Sequence, residues 1–242
     1  MERFVVIAAI VVLGGCGGES LATAAAPVID PGDGGIYQPV VDPSRFGGVI
    51  DNPYLPLAEG ARWVYEGTSV GETERVEVMV TGETREVMGV VTTVVRDTVT
   101  VGGELVEDTF DWFAQDDEGN VWYFGEDVKN YENGVFVDKS GSWEAGVDGA
   151  LPGIIMLANP EIGEAYRQEF YEGEAEDMAE VIEVDGSLAV PSGSFEMVLR
   201  TRDWTPLEPA VIEEKSYAPG VGLIGETKPG TDDVVELVEF SR

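Results

Sequence analysis

The 242-residue chain contains no histidine and a single cysteine, Cys16, and these two facts decide most of the chemistry open to it. Imidazole is the commonest general base and a leading ligand for zinc and copper, so triads built on it and ordinary sites for those metals are excluded. Cys16 follows Leu13-Gly14-Gly15, which forms a lipobox at the end of an apolar segment that begins after Glu2 and Arg3. That segment, Phe4 to Leu13, is about ten residues long, short of the roughly 20 that a permanent membrane span needs, and small residues precede the cleavage point as export signals require. Cys16 is therefore read as the lipidated first residue of the mature protein. Its role is attachment, with no catalytic or redox part. No second thiol is left to form a disulfide, so the exported domain must be held by its core alone.

The other ionisable groups are overwhelmingly carboxylates: 47 acidic residues stand against 14 basic ones, a net charge of −33. Such a charge repels nucleic acid and anionic headgroups, which excludes nucleic acid as a partner and leaves the lipid to hold the protein at the membrane against its own field. The acidity suits a salt-adapted surface, colloidal solubility or the binding of divalent cations. Hard cations need only oxygen ligands, and the best local register for calcium starts at Asp116, with Glu118 and Asn120 at the third and fifth places and Asp127 at the twelfth. Val121 occupies the sixth place, where the sharp turn wants glycine. Calcium is thus the one ion the sequence offers a place for, and no cofactor is implied.

Catalytic constellations find little support. Paired acids can hydrolyse glycosides, but among so many carboxylates no spacing marks one pair as special. Lys139-Ser140 and Lys215-Ser216 are adjacent pairs whose side chains would leave opposite faces of a strand. Gly220-Val221-Gly222-Leu223-Ile224-Gly225 matches the dinucleotide fingerprint, yet Pro229-Gly230 follows too soon for the helix whose N-terminus would receive pyrophosphate. A bend between strands explains these glycines. The aromatic residues are more suggestive: Trp112, Trp122, Tyr123 and Trp143 could line a cavity for a lipid-like or other apolar ligand, with core packing as the alternative.

Three segments would position these groups. Residues 1–15 form the cleaved signal segment, and residues 16–49, rich in Ala, Gly, Pro and Asp, form a lipidated flexible tether. Residues 50–242 form a single β-rich domain, with order expected from Asp51-Asn52-Pro53-Tyr54. Val76, Val78 and Val80 alternate with polar residues, and Val90 to Val101 is almost entirely β-branched. Phe110, Trp112 and Phe113 face Val121-Trp122-Tyr123-Phe124 across the polar loop Asp116 to Asn120, the pattern of a hairpin, and Asn133-Gly134 marks a second tight turn. Further strands are expected near 166–171, 179–185, 195–203, 211–218, 223–228 and 234–240, with one short helical turn around 154–157. The fold class is mainly β: an antiparallel, strongly curved sheet, half-barrel or barrel with few or no helices.

The segments Asn52-Pro53-Tyr54-Leu55-Pro56-Leu57, Trp63-Val64-Tyr65-Glu66-Gly67, Asp111 to Asp116, Gly119 to Gly125, Val190 to Phe195 and Tyr217 to Leu223 together resemble a family of uncharacterised bacterial secreted proteins and lipoproteins. The similarity covers roughly residues 51–242 and brings no established activity with it. Its broader shape resembles the antiparallel half-barrels of periplasmic lipoprotein carriers, which implies an apolar ligand by analogy of fold. The expected protein is a non-enzymatic, lipid-anchored cell-envelope binding domain, its partners the membrane and an apolar small molecule or an envelope protein. An acidic interaction or structural module, with calcium, is the rival reading, and a carboxylate-based hydrolase is the third.

Overall fold

The computed structural model describes residues 36–69 and 72–242; Cys16, the signal segment and the first part of the tether lie outside the described residues. Fifteen strands follow one another: β1 (Arg62–Ser69), β2 (Glu72–Val87), β3 (Val90–Val101), β4 (Glu104–Gln115), β5 (Val121–Glu132), β6 (Val135–Asp138), β7 (Trp143–Glu144), β8 (Leu151–Met156), β9 (Ala165–Arg167), β10 (Glu169–Phe170), β11 (Met178–Val190), β12 (Gly193–Trp204), β13 (Ile212–Ala218), β14 (Gly222–Thr227) and β15 (Val234–Ser241). A 3-10 turn at Pro43–Arg45 is the sole helical element among the described residues. The β-branched and aromatic composition dictates this result, because such side chains pack well on a pleated surface and poorly along a helix.

All fifteen strands belong to one antiparallel, strongly curved sheet, ordered β10-β8-β5-β4-β3-β2-β1-β15-β14-β13-β12-β11-β9, with β6 and β7 each pairing with β5 off this path. Tight hairpins build its long central run. At the β5–β6 turn Asn133 and Gly134 have φ of 51° and 72°, the left-handed pair that suits the twist of the flanking strands. No strand pair closes the sheet. Instead its two ends, β9 and β10, are consecutive in the chain with only Gln168 between them. Residues 165–170 thus run from one edge to the other: β9 pairs with β11, β10 pairs with β8, and the segment spans the gap as a covalent seam.

The inner face carries one row of side chains from each of the long strands. Val76 and Val78, Val95 and Val99, Phe113, Tyr123, Val181, Leu199, Tyr217, Val235 and Leu237 meet there as the core. At about 25 cal/mol per Å² of apolar surface, each of these large side chains contributes on the order of 2 kcal/mol, so the rows supply the stability that disulfides cannot.

Two expectations change. Residues 154–157 do not form a helical turn; Leu151–Met156 is strand β8. Ile154, Ile155 and Met156 are all buried, and a strand covered on both faces shows a continuous apolar run that periodicity alone cannot tell from a helix. The folded part also begins before residue 50: Tyr37 is buried and donates to the Pro152 carbonyl at 2.7 Å, while Phe46 packs edge-on against Trp122 and Phe124.

Candidate functional site

One end of the curved sheet is covered by residues 50–57, a strap pinned by hydrogen bonds at both flanks. Asn52, 2% exposed, donates through Nδ2 to the carbonyls of Gly119 and Leu157, both at 3.0 Å, and accepts through Oδ1 from the amides of Tyr54 and Leu55. Gln115 Oε1 accepts from the amides of Asp51 and Asn52, and the Gly220 amide donates to the Pro53 carbonyl. Trp63 Nε1 donates to the Val221 carbonyl and the Tyr65 hydroxyl to the Leu223 carbonyl. Segments far apart in sequence, around 52–57, 63–65, 115–120 and 217–223, therefore converge on this one end of the fold.

Beneath the strap lies an apolar cleft that encloses about 30 Å³. Leu55 and Leu57 enter it from above, Trp63, Phe113, Ile155 and Leu223 form its walls, and Tyr65, Tyr217 and Lys215 close its inner end. Lys215 is where the chemistry changes. Its Nζ stands 3.2 Å from Asp203 Oδ2, both side chains nearly buried. Burial works against its charge, but Asp203, Glu226 and their neighbours outweigh that and hold its pKa well above the usual lysine value.

Past Lys215 the interior is a belt of carboxyls. Glu74, Asp97, Glu107, Asp111, Glu126, Glu169, Asp203, Glu213 and Glu226 are buried, accompanied by Lys215 and by Lys228, whose Nζ lies 3.6 Å from Glu213. Both carboxyl oxygens of Asp97, Glu126, Glu169 and Glu226 lack a hydrogen-bond donor. Asp111 and Glu126 are directly opposed across β4 and β5, on one face of the sheet, and the Tyr123 hydroxyl donates to Asp111 Oδ1 at 2.7 Å. Burial pushes the Asp111 carboxyl up to about 7, the Tyr123 hydrogen bond pulls it back, and Glu107 pushes it further. Asp97, Glu126, Glu169 and Glu226 are pushed well above the carboxylate range, first by burial and then by the charge of neighbouring acids: Asp111 for Asp97 and Glu126, Asp177 for Glu169 and Glu213 for Glu226. An uncompensated buried carboxylate is so costly that it takes up a proton instead, and a protonated carboxyl can donate to a neighbouring one. Burial thus favours the protonated form of Asp97, Asp111, Glu126, Glu169 and Glu226.

The residues singled out in the sequence fall elsewhere. Asp116 folds the β4–β5 loop, accepting from the Glu118 and Asn120 amides and from Trp122 Nε1. Glu118 pairs with Arg45, and Asp127 pairs with Lys139 about six residues along β5, roughly 20 Å away at the rise of a strand. The four candidate ligands do not converge, and among the described residues no three acids stand close enough to hold a metal ion. Trp112, Trp122, Tyr123 and Trp143 are all packed, with exposures of 4%, 8%, 1% and 5%, and none lines the cleft. Trp112 carries the Arg85 guanidinium 4.0 Å above its ring, and Trp122 packs against Phe46. Tyr123 faces inward and meets the Trp143 ring edge-on at 5.3 Å.

Sequence reasoning missed the inner carboxyls and Lys215. A signal was present: Val95, Asp97 and Val99, or Thr109, Asp111 and Phe113, share one strand parity, so an acid among them must share their buried face.

No protein-family profile matches the chain, and no curated protein matches it. Among solved structures, the crystal structure of a candidate lipoprotein from Parabacteroides distasonis is similar at 15% identity and a TM-score of 0.42, over 78% of this chain and 99% of that one.

Proposed function

We propose that this chain is an exported cell-envelope protein, anchored by lipid on Cys16, whose β domain is a non-catalytic binder of a lipid-like or other apolar ligand. The observation that carries the reading is the cleft under the strap, with its apolar walls and a single cation and two phenols at its inner end. Ligand sites are concave, mostly apolar and furnished with a few placed polar groups. At about 30 Å³ the cleft is too small for a lipid-like ligand as it stands, so the ligand's apolar part takes the space that Leu55 and Leu57 now fill. The strap is suited to such an exchange, because it is held by hydrogen bonds at its flanks rather than by a strand ladder along its length. No group in the cleft is disposed for nucleophilic or hydrolytic work: Lys215 is committed to Asp203, and the Tyr65 hydroxyl to a backbone carbonyl.

The test is a native mass spectrum of the full chain, released in mild detergent from its own envelope, with and without a calcium chelator. A co-purifying apolar molecule is expected, displaced when Leu223→Trp fills the cleft. A bare mass, or calcium as the sole addition, overturns the reading in favour of an acidic interaction module.

A further inference from the structure

We propose that the seam at residues 165–170 is a proton-operated gate: the carboxyl of Glu169 holds it shut while protonated and parts it from β8 on ionising, opening the interior along the edge of the sheet. The gate is a property of the joint between the two ends of the sheet and stands apart from the apolar cleft.

The seam is where the sheet is weakest. β10 contributes two residues, with Glu169 opposite Pro152 and Phe170 opposite Leu151. Proline has no N–H to give to a ladder, so Glu169 and Pro152 exchange no hydrogen bond and the pairing rests on the neighbouring residues alone. β9 contributes three residues to the other edge, and the Gln168 amide donates to the Asp177 carbonyl at 2.8 Å. Strands β2 and β3, by comparison, pair over almost their whole length. The closest approach across the seam is made by Gly153, where a Cβ would lie 2.2 Å from the Gln168 carbonyl carbon.

Glu169 is placed to sense protons at this joint. It is 1% exposed, and neither oxygen has a donor. The groups that face it come from every side: Asp111 from β4, Tyr123 and Glu126 from β5, Trp143 from β7, Asp177 from the turn before β11 and Lys215 from β13. The Trp143 indole N–H stands near enough to favour the ionised form slightly, though outside hydrogen-bonding geometry. Lys215 also favours that form, but its own ion pair is with Asp203. Against these stand burial and the charges of Asp177 and Asp111. Arg167, on the same segment, is turned toward the rings of Phe170 and Tyr37, at 4.8 and 5.6 Å. An ionised Glu169 therefore has one inexpensive route to solvation, which is to peel the two-residue β10 from Pro152 and Leu151. The reaction is the loss of one proton from the carboxyl to water, coupled to opening of the seam.

The experiment is amide hydrogen exchange on the full chain from pH 5 to 9, corrected for the intrinsic exchange rate and read at Phe170, opposite Leu151, with Val76 and Val78 in β2 as internal reference. An opening linked to the release of one proton lowers the protection factor about tenfold per pH unit between the titration of the solvated carboxyl in the open state and that of the buried carboxyl in the closed state. The expected result is that slope at the seam at pH values where β2 remains fully protected, and its loss in Glu169→Gln, which keeps shape and removes the proton. Seam protection that is constant with pH, or a slope that is unchanged in Glu169→Gln, overturns the proposal. So does a wild-type slope abolished by millimolar calcium, since the belt would then be answering to a cation. Should Glu169→Gln fold poorly, Asp111→Asn supplies the second test: with one facing charge gone the buried carboxyl ionises at lower pH, so the slope must level off at lower pH, and an unmoved upper end counts against the gate.

Discussion

Replacing Asn52 by alanine tests whether the strap is held by hydrogen bonds or by the burial of its leucines. The Asn52 side chain is the sole described donor to two carbonyls, Gly119 and Leu157, and accepts from two amides of its own turn. At 2% exposure water cannot take its place without the strap moving. A buried polar group left without a partner costs about 1–3 kcal/mol, so two orphaned carbonyls cost about 2–6 kcal/mol, offset by roughly 1 kcal/mol of side-chain entropy returned on truncation. The expected loss is about 3 kcal/mol, or about 6–12 °C in Tm for a domain of this size. Asn52→Asp separates hydrogen bonding from volume. It keeps the acceptor for Tyr54 and Leu55, but it sets carboxylate oxygen against the two carbonyls, so at pH 7 it must cost at least as much as alanine. Urea unfolding followed by tryptophan fluorescence reads all three proteins. An alanine variant within about 0.5 kcal/mol of wild type, the range of neutral surface changes, refutes the reasoning, as does an aspartate variant milder than alanine.

Stability should fall as pH rises. Asp111, pushed from 3.8 up to about 7, keeps its proton in the folded state while the unfolded chain has lost it, so its contribution is complete below pH 3.8 and is lost as pH climbs through 7. That shift is worth on the order of 4 kcal/mol, and urea unfolding between pH 4 and 8 in 1 M salt, where surface repulsion is screened, should show the decline in wild type and a shallower one in Asp111→Asn. Lys215→Met leaves Asp203 buried without its cation and should cost about 3–5 kcal/mol in the same assay; a neutral result would mean that the ion pair contributes nothing. Gly153→Ala forces β8 from Gln168 and should cost about 1–3 kcal/mol, with exchange at the seam raised more than exchange in β2. Cys16→Ser should release the protein from membranes into the soluble fraction, and persistent sedimentation with membranes would remove the lipid anchor from the account.

The strands were legible because their side chains repeat with period two between turn residues. Val90 to Val101 coincides with β3, and the hairpin around Asp116 to Asn120 has the arms and loop that its aromatics announce. Strand β8 was not legible: Ile154, Ile155 and Met156 show no alternation because both of their faces are covered. The seam was beyond reach for a different reason. Residues 166–171 read as a single short strand, and nothing local reveals that 165–167 bond one edge of the sheet and 169–170 the other. Several segments that lie far apart in sequence meet at the strap, where hydrogen bonding joins them: Asn52, Gln115 and Asp116 spend polar atoms on backbone and indole N–H groups and on carbonyls.

The inner carboxyls show most clearly how composition can conceal a feature. In a chain of charge −33 an acid is read as surface until its parity places it inside. Once inside, its energetics reverse: an exposed carboxylate is stabilised by water and keeps its charge, whereas Asp97 or Glu169 must find a proton or leave the interior. Lys215 ties this behaviour to the cleft, since it closes the inner end beneath Tyr65 and Tyr217 and also faces Glu169 and Glu226. A ligand that draws Lys215 toward itself must raise the proton affinity of the belt, and by linkage a proton-depleted belt must hold Lys215 back from the ligand. Binding in the cleft should therefore weaken as pH rises, by the same factor by which the ligand increases proton uptake. Measuring the proton release or uptake that accompanies binding in two buffers of different ionisation enthalpy checks this reciprocity: binding with no net proton exchange would separate cleft from belt.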